Sequence, residues 1–106
     1  MQDAIAEMLR VVPEFNDDLT TPEMDALVPL LDVLKHPLSR ADIQALISML
    51  PENGDTAMGL NWTILHAIEA SPEWPLWDLL TAKDHEWIDI FRLRLRNGGH
   101  QPPEGF

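Results

Sequence analysis

NWTILHAIEASPEWPLWDLL, residues 61–80, holds Trp62, Trp74 and Trp77, three of the four tryptophans in the chain. Its first half has helical spacing. Trp62, Leu65 and Ile68 recur every third residue, Glu69 follows, and His66 lies four after Trp62. Pro72 and Pro75 then end one helix and open another. The stretch therefore predicts a helix, a proline-bounded corner and a second helix, with indole rings at the joint. A large aromatic side chain buries about 150–250 Å², so this corner is expected to be the packing centre, with Trp62 and Trp77 in the core. Trp74, between Glu73 and Pro75, is either a plug over that core or an exposed anchor for a partner.

The helical period continues upstream. Ile5, Met8, Leu9 and Val12 predict a first helix over residues 4–12, with Asp3 as its N-cap and Pro13 as its end. The loop PEFNDDLT follows and gathers Glu14, Asp17 and Asp18. Thr20 and Glu23 match a capping box, and Pro22 suits the first turn of the helix they open. Its apolar stripe is Met24, Leu27, Val28, Leu31 and Leu34, and Pro29 inside it predicts a kink or a break. Lys35 and His36 stand at its C-terminal end, where the helix dipole favours cations. After Pro37, Ser39 and Asp42 cap a third helix whose inner face is Ile43, Leu46, Ile47 and Leu50.

Pro51-Glu52-Asn53-Gly54-Asp55 is a loop by composition. Asp55 or Thr56 is expected to cap the fourth helix, at 56–70, in which Gly59 would cost about 1 kcal/mol relative to alanine and mark a close crossing. A short fifth helix is expected at 75–81. Asp84 is expected to cap a sixth, with Trp87, Ile88, Phe91 and Leu95 inward and Asn97-Gly98-Gly99 as its stop. The tail HQPPEGF is expected to be loose. No segment alternates apolar and polar residues as a half-buried strand would. The expected fold is all-α: one domain over residues 1–99, with five to six short helices in a compact antiparallel bundle or a HEAT-like stack of helical hairpins.

A chain of 106 residues is one domain, and near this size roughly 65% of the unfolded surface is buried, enough for a core without metal or disulfides. There is no cysteine, which removes disulfide and thiolate chemistry. No apolar run approaches the roughly 20 residues that span a bilayer. The first residues lack the basic and apolar regions of a signal peptide, so a cytoplasmic location is expected.

Charge is the abnormal quantity, at −11. Residues 1–91 carry seventeen acids against four bases, a balance of −13, whereas residues 92–106 carry Arg92, Arg94 and Arg96 against Glu104, a balance of +2. Nucleic acid and anionic membrane both require a positive footprint, so neither is an expected partner. An acidic body suits a basic protein partner or serves solubility.

Catalytic and metal chemistry find little support. His66 and Glu69 have the i, i+3 spacing used in some metal sites, but a site needs three or four ligands. His36, His85 and His100 offer no second pair. The simpler expectation is a polar brace of His66 with Trp62 and Glu69. There is no glycine-rich phosphate loop and no nucleophile elbow. No enzyme activity and no cofactor are expected, and a small enzyme with an unrecognised carboxylate site is the least favoured reading. The alternation of Arg92, Arg94 and Arg96 spreads them around the last helix, with Asp89 placed to pair with Arg92.

Trp62-Thr63-Ile64-Leu65-His66-Ala67-Ile68-Glu69, the tryptophan corner after it, and Glu86-Trp87-Ile88 leading to Arg94-Leu95-Arg96-Asn97 carry a resemblance. Together they resemble small bacterial immunity proteins of polymorphic toxin and contact-dependent inhibition systems, with their pattern W-x-x-L-H-x-I-E, a tryptophan helix and an R-x-x-N-like end. The resemblance covers residues 60–99. It implies an all-helical, acidic, cytoplasmic protein that binds and blocks one cognate toxin domain, and it assigns no binding residues.

Charge and exposure supply those. The expected partner contacts are the loop acids Asp17, Asp18, Glu52, Asp55, Glu73 and Asp78, with Trp74 as apolar anchor. The expected partner is a cationic toxin domain, a nuclease rather than a pore former, because nucleases must hold phosphates. The protein itself is expected as a monomer or weak dimer. The alternative is an acidic helical adaptor or regulatory module that binds another basic protein.

Overall fold

Two of the helices begin on the same device. The Thr20 hydroxyl accepts the Glu23 N–H, and the Glu23 carboxylate accepts the Thr20 N–H at 2.8 Å. Ser39 and Asp42 repeat the exchange at 3.0 and 3.1 Å. Each satisfies backbone donors that a helix start leaves free, which contributes about 1 kcal/mol.

A computed structural model describes all residues, 1–106. It contains α1 (Asp3–Val11), α2 (Thr21–Asp32), α3 (Arg40–Ser48), α4 (Leu60–Glu69), a 3₁₀ turn (Trp77–Leu79) and α5 (Glu86–Asn97), with no strand. The all-α expectation holds, with five α-helices. Helix α1 packs against α2 and α3. The molecule measures 44 × 27 × 19 Å, and its thinnest dimension is about two helix diameters. No helix is long and apolar enough to cross a membrane.

Several boundaries differ from those the sequence predicts, each for a local reason. Asp3 is the first residue of α1, not its cap. Gln2 holds the cap position, and its side chain makes no capping bond to the helix. Pro29 lies inside α2 without ending it. It removes the donor that would meet the Asp25 carbonyl, but Asp25 is exposed, so water can replace it.

Helix α4 starts four residues later than predicted. Ala57, Met58 and Gly59 all take positive φ, at 50°, 55° and 93°, so the chain turns before it can coil. Gly59 stands in the cap position outside the helix, where its freedom at positive φ is used. The segment 75–81 forms only the single 3₁₀ turn. His85, not Asp84, caps α5 by accepting the Ile88 N–H on Nδ1 at 3.3 Å, while Asp84 sits just outside at φ 57°. At the far end Gly99 takes φ 85°, and the His100 N–H reaches the Leu95 carbonyl at 2.9 Å, a Schellman stop.

The core draws on all five helices and on Phe15 and Leu38 from the loops. Its largest fully buried side chain is Trp87. This corrects the expectation for the corner tryptophans. Trp62 is 38% exposed, and its ring meets Trp87 edge-on at 5.0 Å. Trp77 is half-buried and meets Phe106 of the tail at 5.2 Å. The buried residues of α4 are Leu60, Asn61, Ile64, Leu65 and Ile68. In α2, Leu27 and Leu31 are buried while Val28 faces water.

Candidate functional site

The seven candidate contact residues fall into two groups. In the first, the loop after α1 and the loop before α4 are tied to each other. Asp17 donates its N–H to Asp55 Oδ2 at 3.0 Å, and Asp17 Oδ1 accepts the Ala57 N–H at 2.9 Å. The Asp55 carbonyl accepts from Asn61 Nδ2 and from Trp87 Nε1, each at 2.8 Å. Asn61 also donates to the Phe15 carbonyl at 2.8 Å, so one buried amide holds both loops. Its Oδ1 is buried with no partner.

Glu52 and Asp18 flank this knot. The Glu52 carbonyl accepts the Glu86 N–H at 2.9 Å, which brings the first turn of α5 against the loop. The Glu86 carboxylate lies directly over Gly54, in the space a side chain there would fill. Glu86 was not a candidate on sequence grounds. No local pattern marks it, because the loop it joins is more than 30 residues away.

The chain makes four ion pairs: Arg10–Glu7, Arg40–Asp78, Arg92–Asp89 and Arg94–Glu69. Asp17, Asp18, Glu52, Asp55 and Glu86 take part in none of them. These five acids therefore lie along two joined loops and the first turn of α5; Asp17 and Asp55 hold backbone N–H groups, and none of the five is paired with a cation.

The second group, Glu73, Trp74 and Asp78, is built differently. Arg40 at the start of α3 grips Asp78 through its two terminal guanidinium nitrogens, Nη1 and Nη2. That hydrogen bond and charge hold the Asp78 carboxyl below its ordinary pKa and raise that of Arg40, to which Glu73 adds through its charge. Trp74 is half-buried, with its ring tilted against Phe91 at 5.1 Å and its Nε1 enclosed without a partner. It fills the role of a plug.

The expected brace does not form. His66 is exposed, and Glu69 instead takes a two-pronged bond from Arg94 at 2.8 Å. The Glu69 carboxylate raises the Arg94 pKa, chiefly through that bond. No group of three or more metal-ligating side chains is gathered anywhere. Two open clefts exist, and neither includes a candidate residue. One of about 440 Å³ lies between α1 and the end of α2, lined by Gln2, Glu7, Leu30 and Lys35. The other, about 250 Å³, is lined by Thr81, Lys83, Arg92 and Phe106.

No known protein family, characterised protein or solved structure matches the chain.

Proposed function

We propose that this is an immunity protein, which binds a basic bacterial toxin domain and neutralises it by stoichiometric occlusion. The observation that carries this reading is the set of five loop and helix-start acids without a cation, on a body of net charge −11. The resemblance that covers residues 60–99 supports it independently of the charge. Occlusion asks for no catalytic group, no cofactor and no conformational work. It asks for a surface that the target finds quickly and leaves slowly. A negative field supplies the first requirement, since steered association reaches about 10⁸–10⁹ M⁻¹s⁻¹ at low salt. A toxin that acts on nucleic acid must itself be basic to hold phosphates, so the two surfaces attract. The reading belongs to the bacterial cytoplasm, where such a toxin would act on its producer.

The test is co-expression with the toxin domain encoded by the adjacent gene. The expected outcome is a one-to-one complex, survival of the cells, and an association rate that falls as salt is raised. Absence of both complex and protection would overturn the reading. A complex with a basic protein of another activity would favour the adaptor.

A further inference from the structure

The fold leaves two large apolar side chains in water beside the acid knot. Met58 is 65% exposed and Trp62 is 38% exposed. Met58 also sits at φ 55°, a region that costs an ordinary residue about 1–2 kcal/mol. Glycine would stand there without that cost, as the neighbouring Gly59 does. Trp62 is equally well placed. Its ring leans on Trp87, and Trp87 donates its indole N–H to the Asp55 carbonyl. The exposed indole therefore lies one ring away from the backbone that carries the acids. Met58 follows Ala57, whose N–H is held by the Asp17 carboxylate.

We propose that Met58 and Trp62 form the apolar centre of a docking surface for a basic protein domain, with Asp17, Asp55, Glu52 and Glu86 as its rim. Tryptophan and methionine are enriched at protein interfaces, and tryptophan dominates their binding energy. Charge complementarity selects the occupant. Acids without cations repel nucleic acid and anionic lipid, and they attract a face rich in lysine and arginine. The partner surface that fits carries an apolar pocket framed by such cations. The surface rests on the toxin-binding reading only for the identity of its natural partner, not for its chemistry.

The test has two arms. In the first, the isotope-labelled protein is titrated with an amphipathic Lys/Leu peptide and with a Lys/Gly peptide of equal charge and length. The Lys/Leu peptide is expected to bind about tenfold more tightly and to shift the Trp62 indole N–H resonance. Met58→Gly and Trp62→Ala are each expected to erase that preference. Met58→Gly relieves the positive φ, so it should melt no lower than the wild type, and its loss of preference cannot be misfolding. Equal affinity for the two peptides, or shifts confined to Trp74 and Trp77, overturns the proposal.

The second arm uses the adjacent toxin domain, where the same two variants are expected to weaken binding about tenfold or more. A complex indifferent to both substitutions sinks this surface and leaves the immunity reading standing. Peptides that dock at Trp62 while the toxin domain does not bind at all sink the immunity reading and leave the surface standing.

Discussion

The indole N–H of Trp87 donates to the carbonyl of Asp55 at 2.8 Å, tying the first turn of α5 to a loop 32 residues earlier. The ring that makes this bond is also the largest fully buried side chain in the molecule. Packing and loop position therefore depend on one residue.

Trp87→Phe keeps an aromatic ring but removes the donor, while Asn61 still serves the Asp55 carbonyl. It is expected to cost about 1–3 kcal/mol, and Trp87→Ala about 3–5 kcal/mol. Urea unfolding followed by circular dichroism measures both. A phenylalanine variant as stable as the wild type would show that the bond contributes nothing.

Gly54 has φ 81°, and a side chain there would overlap the Glu86 carboxylate. Gly54→Ala should therefore lose about 1–2 kcal/mol from backbone conformation alone, with a further loss from the crowding. The carboxylate is a flexible end, so Glu86→Ala should recover the crowding part and not the backbone part. A double-mutant cycle separates them. Strict additivity would mean that the Glu86 side chain moves aside without cost.

Asp42 clamps the N-terminus of α1 onto α3. Its Oδ1 accepts the Gln2 N–H at 2.9 Å, and its Oδ2 accepts the Gln2 amide and the Ser39 N–H. Burial pushes its carboxyl pKa up, but the hydrogen bonds from Ser39 and Gln2 outweigh burial and hold it below the ordinary value. A depressed folded-state pKa stabilises above the unfolded value, near ~3.9, and that stability is lost as pH falls through the folded value. Asp42→Asn should cost about 1–3 kcal/mol at neutral pH. The gap to the wild type should narrow below about pH 4. Urea midpoints taken at neutral pH and in acid check this, and a gap that does not change with pH refutes it.

His66→Ala should leave stability within about 0.5 kcal/mol of the wild type, because the side chain is exposed and Glu69 is engaged by Arg94. Thermal melting decides. A loss several times larger would restore the brace.

Local chemistry made much of the fold legible. The capping boxes at Thr20 and Ser39, and the inner faces of α3 and α5, follow from patterns within a single turn or two. Helix α4 shows where such patterns stop. Its existence follows from period, but its orientation does not. Asn61, Ile64, Leu65 and Ile68 lie at i, i+3, i+4 and i+7, yet a polar residue opens that series. Trp62 draws the eye to the adjacent stripe. Asn61 is buried because its amide serves the Asp55 carbonyl nearby and the Phe15 carbonyl 46 residues away, and no window around residue 61 contains the second. The candidate acids divide the same way. Their exposure in loops could be read locally. That Arg40 neutralises Asp78, while the loops of Asp17 and Asp55 and the start of α5 at Glu86 are joined with no cation on these acids, depends on contacts between residues roughly 30–40 apart in sequence.

The knot between the two acidic loops also sorts its carboxylates by how freely they can change over evolutionary time. Asp17 and Asp55 each hold a backbone N–H of the opposite loop, so replacing either one disturbs the architecture along with the charge. No hydrogen bond in the fold uses the side chains of Asp18 and Glu52. Those two positions are open to drift, reversal or loss at little structural penalty. A lineage under pressure to follow a changing adversary could alter its outline there, residue by residue, while the latch beneath keeps the same frame.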